Sequence, residues 1–216
     1  MEFEVERDDL RPPANTESAN RAEVDGRTAR KDRNRDVVLD AVLTLFTEDN
    51  LIPSPDEVAQ RSGVSLRSVY RYFADTEALL RAAIDRHVER IQPLALIEQA
   101  GVGTFEQRLS HFLDARLRLY EAVAPTARAS RLRAATSEVI RDQLEASRVQ
   151  LRNQTGAQFG AELSDLAPKV RRAVFAAVDS LTQMESIDTY RNNRQFSGAA
   201  TREMLAITLT QLLTKY

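Results

Sequence analysis

Val37, Val38, Ala41, Val42, Leu45 and Phe46 recur as adjacent apolar pairs every four residues, the spacing of a helix with a broad apolar stripe. A second helix is predicted to open at Ser54-Pro55-Asp56-Glu57. Ser54 can cap it, Pro55 suits its first position, and Glu57 can reach back to the Ser54 amide. It is expected to stop at Ser62, because Gly63 tolerates the left-handed conformation that ends a helix, and Val64 then points inward. Ser65 caps a third helix. In it Leu66, Val69 and Phe73 share one face, while Arg67, Ser68, Arg71 and Tyr72 fall on the other. Asp75 caps a fourth, which carries Ala78, Leu79, Leu80, Ala83, Ile84 and Val88 towards a break at Pro93.

Two short capped helices joined through Gly63-Val64-Ser65 form a helix-turn-helix, braced by the helix before them. An outward face of two arginines, a serine and a tyrosine suits the major groove of DNA. There arginine can donate two hydrogen bonds to guanine, and an aromatic edge can touch a thymine methyl. An ordinary solvated helix is the blander alternative.

From Gly103 onward helical spacing recurs between breaks expected at Gly101, Pro125, Gly156, Pro168 and Ser197-Gly198, with no strand-like alternation of useful length. Phe105, Leu109, Phe112, Leu113, Leu117, Tyr120 and Val123 line one side of a central helix, and another is expected to start after Pro125. A third, from about Thr136 to Phe159, carries Val139, Ile140, Leu144, Val149 and Leu151 among many charges and should flank a pocket or the periphery. The last two are apolar over most of their length. One runs from Val170 through Val174, Ala177, Val178, Leu181, Met184 and Ile187 to Tyr190, the other from Met204 through Leu205, Leu209 and Leu212 to Leu213.

The fold class is therefore all-α: an N-terminal three-helix helix-turn-helix domain over residues 33–80, then a larger helical ligand-binding and dimerisation domain over 81–216. Residues 1–32 are expected to be a disordered charged arm, since Met1 to Glu23 are acidic and without apolar periodicity. Arg27, Arg30, Lys31, Arg33 and Arg35 could alternatively lie along a DNA backbone or enter the minor groove.

Composition narrows the chemistry. Of 30 basic residues only Lys31, Lys169 and Lys215 are lysine, a chain-wide bias towards arginine that weakens any inference from charge alone. The net charge of −2 disfavours a sequence-independent packaging protein, which relies on summed positive charge. Cysteine is absent, excluding disulfides and thiolate metal sites, and the acidic start is unlike a secretion signal, so a cytoplasmic location is expected. No apolar stretch approaches the ~18 residues of a membrane span. The two histidines, His87 and His111, stand in no metal spacing, and neither a phosphate loop nor a nucleophile elbow is present. No enzyme, metal or cofactor is expected.

With these residues in view the chain resembles the TetR family of bacterial repressors. The resemblance rests on Leu45-Phe46, the capped helix from Ser54 to Ala59, Gly63-Val64-Ser65 and Tyr70-Arg71-Tyr72-Phe73, within roughly Arg33 to Ile84. It implies that Ser65, Arg71, Tyr72 and the helix start at Thr76 approach phosphates, while Leu66, Arg67 and Tyr70 approach bases beside Ser68. Thr76 stands where the family usually has lysine, and Leu66-Arg67 where it often has lysine, glycine or threonine. The resemblance further implies a homodimer on a palindromic operator, paired through the last two helices. Val174, Val178, Leu181, Leu205, Leu209 and Leu212 are the expected interface, and burial of these stripes within their own domain is the alternative. It also implies release from DNA by a small effector, here expected to be hydrophobic or aromatic. Phe105, His111, Phe112, Tyr120 and Met184 are the candidate pocket, although each could equally be core, and His111 a satisfied or surface histidine. The competing reading of the whole chain is a helical interaction protein whose reader no longer binds DNA tightly.

Overall fold

The computed structural model describes the backbone of residues 16–215 and the side chains of 30–215. Among the described residues there are ten α-helices and no strand. Three helices and the start of a fourth build the N-terminal unit: α1 (Thr16–Thr47), α2 (Pro55–Ser62), α3 (Leu66–Tyr72) and α4 (Thr76–Ile91). Its core holds Val38, Leu39, Val42, Phe46, Val58, Val69 and Phe73 with Leu79, Leu80, Ala83 and Ile84.

The expected arm over residues 1–32 requires correction. Residues 1–15, and side chains before residue 30, including that of Arg27, lie outside the described residues, but from Thr16 the backbone is already α1. Apolar periodicity is not needed for that, because alanine, arginine and glutamate have high intrinsic helix propensity and the segment extends a helix anchored further on by its buried stripe. The expected division at residue 80 also falls inside α4, whose Ala83 and Ile84 belong to the N-terminal core. That core reaches beyond α4 as well, taking in Ala129 and Ile140 from the helices that follow.

Those helices are α5 (Phe105–Arg133), α6 (Glu138–Gln158), α7 (Gly160–Ser164), α8 (Pro168–Thr182), α9 (Met184–Asp188) and α10 (Gly198–Thr214), with a π-turn over Thr189–Asn193. Two expected breaks are absent. Proline 125 lies within an uninterrupted α5. Glycine 156 lies within α6, where a Cβ would meet the Phe175 ring of α8 at 3.7 Å, so the missing side chain lets the two helices close up. Conversely, the run expected from Val170 to Tyr190 does break, at Gln183, which takes the extended conformation between α8 and α9. The last turn of α8 is closed there by the Thr182 hydroxyl, which donates to the Val178 carbonyl at 2.8 Å.

α5 forms the central wall, and α8 and α10 pack on it around Leu109, Phe112, Leu113, Phe159, Val174, Val178, Leu205 and Leu209. The expectation that Val174, Val178, Leu205 and Leu209 meet a second chain is thereby corrected. They are almost completely enclosed within their own, with Leu205 and Leu209 at 0% exposure. Only Leu181 and Leu212 of the six are partly accessible. No described helix is long and apolar enough to cross a membrane.

Candidate nucleic-acid interface and interior cavity

Each cap anticipated around the turn is formed. The Ser54 amide donates to Glu57 Oε2 at 2.7 Å while the Glu57 amide donates back to Ser54 Oγ at 3.3 Å. Gly63 ends α2 at φ 68°, where a side chain would be strained by the backbone itself. Ser65 Oγ accepts from the Ser68 amide at 3.4 Å, and Asp75 Oδ1 from the Ala78 amide at 2.7 Å. A bidentate Arg61–Glu48 pair, both contacts 2.6 Å, ties α2 to the end of α1.

Fixed in this way, α3 buries Val69 and projects Arg67, Tyr70 and Arg71 into solvent, Tyr70 with half its surface exposed. Two assignments of face change. Tyr72, expected on the outer face, packs its ring against the N-terminal core. Leu66, expected on the inner face, is half-buried but outside that core, leaving an apolar surface beside Arg67. The reason is geometric: a two-turn helix tilted across α1 buries the side facing α1 at its C-terminal end and lifts its N-terminal end away.

Arg71 is held against its own helix. Its guanidinium donates to Ser68 Oγ and to the Tyr72 phenol oxygen, both at 3.2 Å, and lies 5.1 Å from the Tyr72 ring centroid. That donated bond pulls the Tyr72 phenol below its ordinary pKa against the effect of burial, with smaller contributions from Asn34 and the charge of Lys31. Lys31 and Asn34 of α1 therefore stand beside the end of α3, and Arg35 lies over the Phe73 ring at 5.2 Å. The exposed cations Lys31, Arg35, Arg67 and Arg71 share this end of the molecule. Thr76 opens α4 between the acidic side chains of Asp75 and Glu77, which makes that point less attractive to a phosphate than the family's usual lysine.

α4 connects this face to the interior. Beginning at Thr76, four residues beyond the end of α3, it runs on to Ile84, His87, Val88 and Ile91, which form one wall of a cavity of about 400 Å³. Leu119, Val123 and Ala127 of α5, Leu144 and Leu151 of α6, and Met184 of α9 complete an apolar lining. α6 thus flanks a pocket as expected, although its Val139 and Val149 are exposed.

Of the five residues expected in the pocket, only Met184 lines this cavity. Phe105 and Phe112 pack on Phe159 with ring centroids 6.3 and 5.0 Å apart, filling the core instead. Tyr120 faces Asp188, and His111 is exposed on the opposite side of α5. One helical face of α5 is too broad to point at a single place, and only the neighbours decide which part of it meets a void. The histidine that does reach the cavity is His87. Its Nε2 donates to the Ala122 carbonyl at 3.0 Å, one turn before Pro125, and burial lowers its pKa, so the ring is neutral near pH 7. His87 was legible as a polar residue one turn beyond Ile84 on the apolar side of α4. Gln183, also in the lining, has no comparable signal, because it depends on the break between α8 and α9.

Asp188 closes the far side. It accepts from Tyr120 at 3.0 Å, Arg128 at 3.2 Å, Asn192 at 2.6 Å and the cavity-lining Arg131 at 2.7 Å. Arg128 also reaches Asp49, at the end of α1, at 3.4 Å. Burial, and then the bond to Asp188, push the Tyr120 phenol up from 10 to about 12. A folded-state pKa raised in this way stabilises the protein fully below the unfolded value and loses that contribution between pH 10 and about 12. Tyr120→Phe is expected to flatten this alkaline loss. Urea midpoints at both ends of the window test it, and an unchanged slope would contradict the assignment.

No family model matches the chain, and no curated protein matches it. Among solved structures, it is similar to the crystal structure of a tetR-family transcriptional regulator from Streptomyces coelicolor, with 19% sequence identity, a TM-score of 0.64, and coverage of 84% of this chain and 80% of that one. The chain has the fold of that regulator.

Proposed function

We propose that this chain, built on the fold of a TetR-family regulator, is a DNA-binding transcriptional regulator, acting as a homodimeric repressor released by a small molecule. The observation that carries the reading is the capped α3, whose outward Arg67, Tyr70 and Arg71 stand beside Lys31 and Arg35 of α1. Arg67, Tyr70 and Leu66 suit base edges, and Arg71, preoriented by Ser68 and Tyr72, suits a phosphate. Ser65, Ser68, Tyr72 and Thr76 border the same groove.

A short recognition helix reads only a few base pairs, so tight binding calls for two copies on a two-fold site. The faces of α8 and α10 left accessible offer Ala173, Ala176 and Ser180 beside Ala199, Glu203, Ile207 and Gln211, with Leu181 and Leu212 at their edges. Small residues there permit close approach of a second chain. Release would follow if a ligand in the cavity favours one position of α4, since that helix walls the cavity at one end and follows the recognition helix at the other. A non-enzymatic, cytoplasmic role accords with this reading.

Fluorescence anisotropy against DNA from just upstream of the coding sequence, across a salt series and with unrelated DNA as control, tests the proposal. Selective, salt-sensitive binding at two subunits per site is expected. Arg67→Ala should cost about 1–3 kcal/mol on the operator and relax preference at one position, whereas Arg71→Ala should weaken all sequences alike and lower the salt slope by about 1. Equal losses for Arg67→Ala on operator and control would remove it from base contact. Absence of selective binding would instead favour a helical interaction protein, the reading that Thr76 between two carboxylates makes specific.

A further inference from the structure

The cavity carries information about the ligand it is shaped for. Its volume of about 400 Å³ lies in the range of small-molecule sites, and Ile84, Ile91, Leu119, Val123, Leu151 and Met184 make its surface predominantly apolar. Charged groups are present at its edge, but the cations are already matched. Arg131 is paired with Asp188 at 2.7 Å, and Arg148 with Glu185 at 2.7 Å. Neither offers an uncompensated charge to an anion, and His87 is neutral, its proton committed to the Ala122 carbonyl. A charged ligand would lose its hydration here without gaining a counter-ion.

One polar group stands apart. Gln183 Nε2 donates to Asp179 Oδ1 at 2.7 Å, and its Oε1 is buried with no hydrogen-bond partner. A carboxylate oxygen accepts, so the amide nitrogen must face Asp179 and the amide oxygen must point the other way. Asp179 also feels the charge of the buried Arg116, which favours the carboxylate remaining a fixed acceptor. Gln183 lines the cavity because α8 ends immediately before it, and a buried unpaired carbonyl oxygen at such a wall is an acceptor waiting for a donor.

We infer that the ligand of this cavity is a neutral, largely apolar molecule carrying one hydrogen-bond donor, a hydroxyl or N–H group, that bonds to Gln183 Oε1. This rests on the proposed ligand-responsive function but is tested without DNA. The chain contains no tryptophan, so naphthalene fluorescence can be read directly. Titrations with 2-naphthol, its methyl ether 2-methoxynaphthalene and the anion 2-naphthoate separate donor, shape and charge. We expect 2-naphthol to bind about tenfold more tightly than the ether, the size of one hydrogen bond, and naphthoate to bind more weakly than both. Gln183→Met, close in shape, should bring naphthol down to the level of the ether and leave the ether unchanged. Ala127→Phe should fill the cavity and weaken both, with unchanged helical circular dichroism as the check on folding.

Equal affinity of naphthol and ether, preference for naphthoate, survival of the difference in Gln183→Met, or no binding by any of the three would overturn the inference. In the first of these cases an ordered water would be the partner of Gln183. Selective naphthol binding by a protein that ignores DNA would keep this inference and remove the regulator. Operator binding without it would do the reverse.

Discussion

Ile207→Asp is expected to leave a folded monomer that has lost operator binding, while Leu209→Asp, two residues away on the same helix, is expected to abolish folding. Ile207 is 59% exposed on α10, and Leu209 is 0% exposed in the core formed with α5 and α8. A surface substitution such as the first normally changes the stability of the chain by no more than about 0.5 kcal/mol. At the interface proposed above it would instead bury an unpaired carboxylate between two copies. Loss of the second subunit removes the gain from simultaneous half-site contact, so operator affinity should fall by a factor on the order of 10² or more. The second substitution combines loss of a buried leucine side chain, about 2–5 kcal/mol, with burial of a charge, and together these approach the whole stability of a typical domain, about 5–15 kcal/mol. Sedimentation velocity with circular dichroism separates the outcomes. A dimeric Ile207→Asp protein with intact operator binding would place the interface elsewhere.

Arg116 should respond oppositely to two substitutions that both remove its charge. It is 1% exposed at the middle of α5, stacked 4.7 Å over the Phe112 ring. Its guanidinium donates to Gln154 Oε1 and to the Leu151 carbonyl, each at 2.6 Å, while its Nε has no partner. Burial lowers its pKa to about 10, with Asp179 opposing, so the group remains charged at neutral pH but at a cost. Arg116→Ala is expected to lose about 2–5 kcal/mol, because it empties a large volume at the α5–α6 contact. Arg116→Met should fall within about 1 kcal/mol of the parent, since it refills that volume and relieves a buried charge lacking a contacting carboxylate. The Leu151 carbonyl would still accept from Thr155 Oγ1 at 3.1 Å. Urea unfolding of both variants checks this, and a Met variant as unstable as the Ala variant would show that the charge itself is required.

The reader was legible because its signals are local. Ser54 and Glu57, Ser65 and Ser68, and Asp75 and Ala78 are each three residues apart, and Gly63 acts on its own backbone, so no distant part of the chain can alter their geometry. The all-helical class was legible for the same reason, through the spacing of apolar residues. Boundaries were less so. Helix α5 continues through Pro125 and α6 through Gly156, because packing of these helices against their neighbours outweighs the local cost of a breaker.

Which side of an apolar helix meets a void, a core or a second chain was decided only by tertiary structure. Phe112 and His87 both lie on apolar faces, yet Phe112 is locked against Phe159 while His87 meets the cavity, because α4 and α6 stand apart beyond Asp85 and Gln143, which hydrogen-bond to each other. Val174, Val178, Leu205 and Leu209 follow a spacing that serves an interior and an interface equally, and the position of α5 assigns them to the interior. The sequence by itself determined the helices, their caps and the outward Arg67, Tyr70 and Arg71, since these depend on neighbours within one or two turns. The cavity, its unpaired Gln183 oxygen and the accessible face around Ile207 arise from the mutual placement of helices far apart in the chain, which local periodicity does not encode.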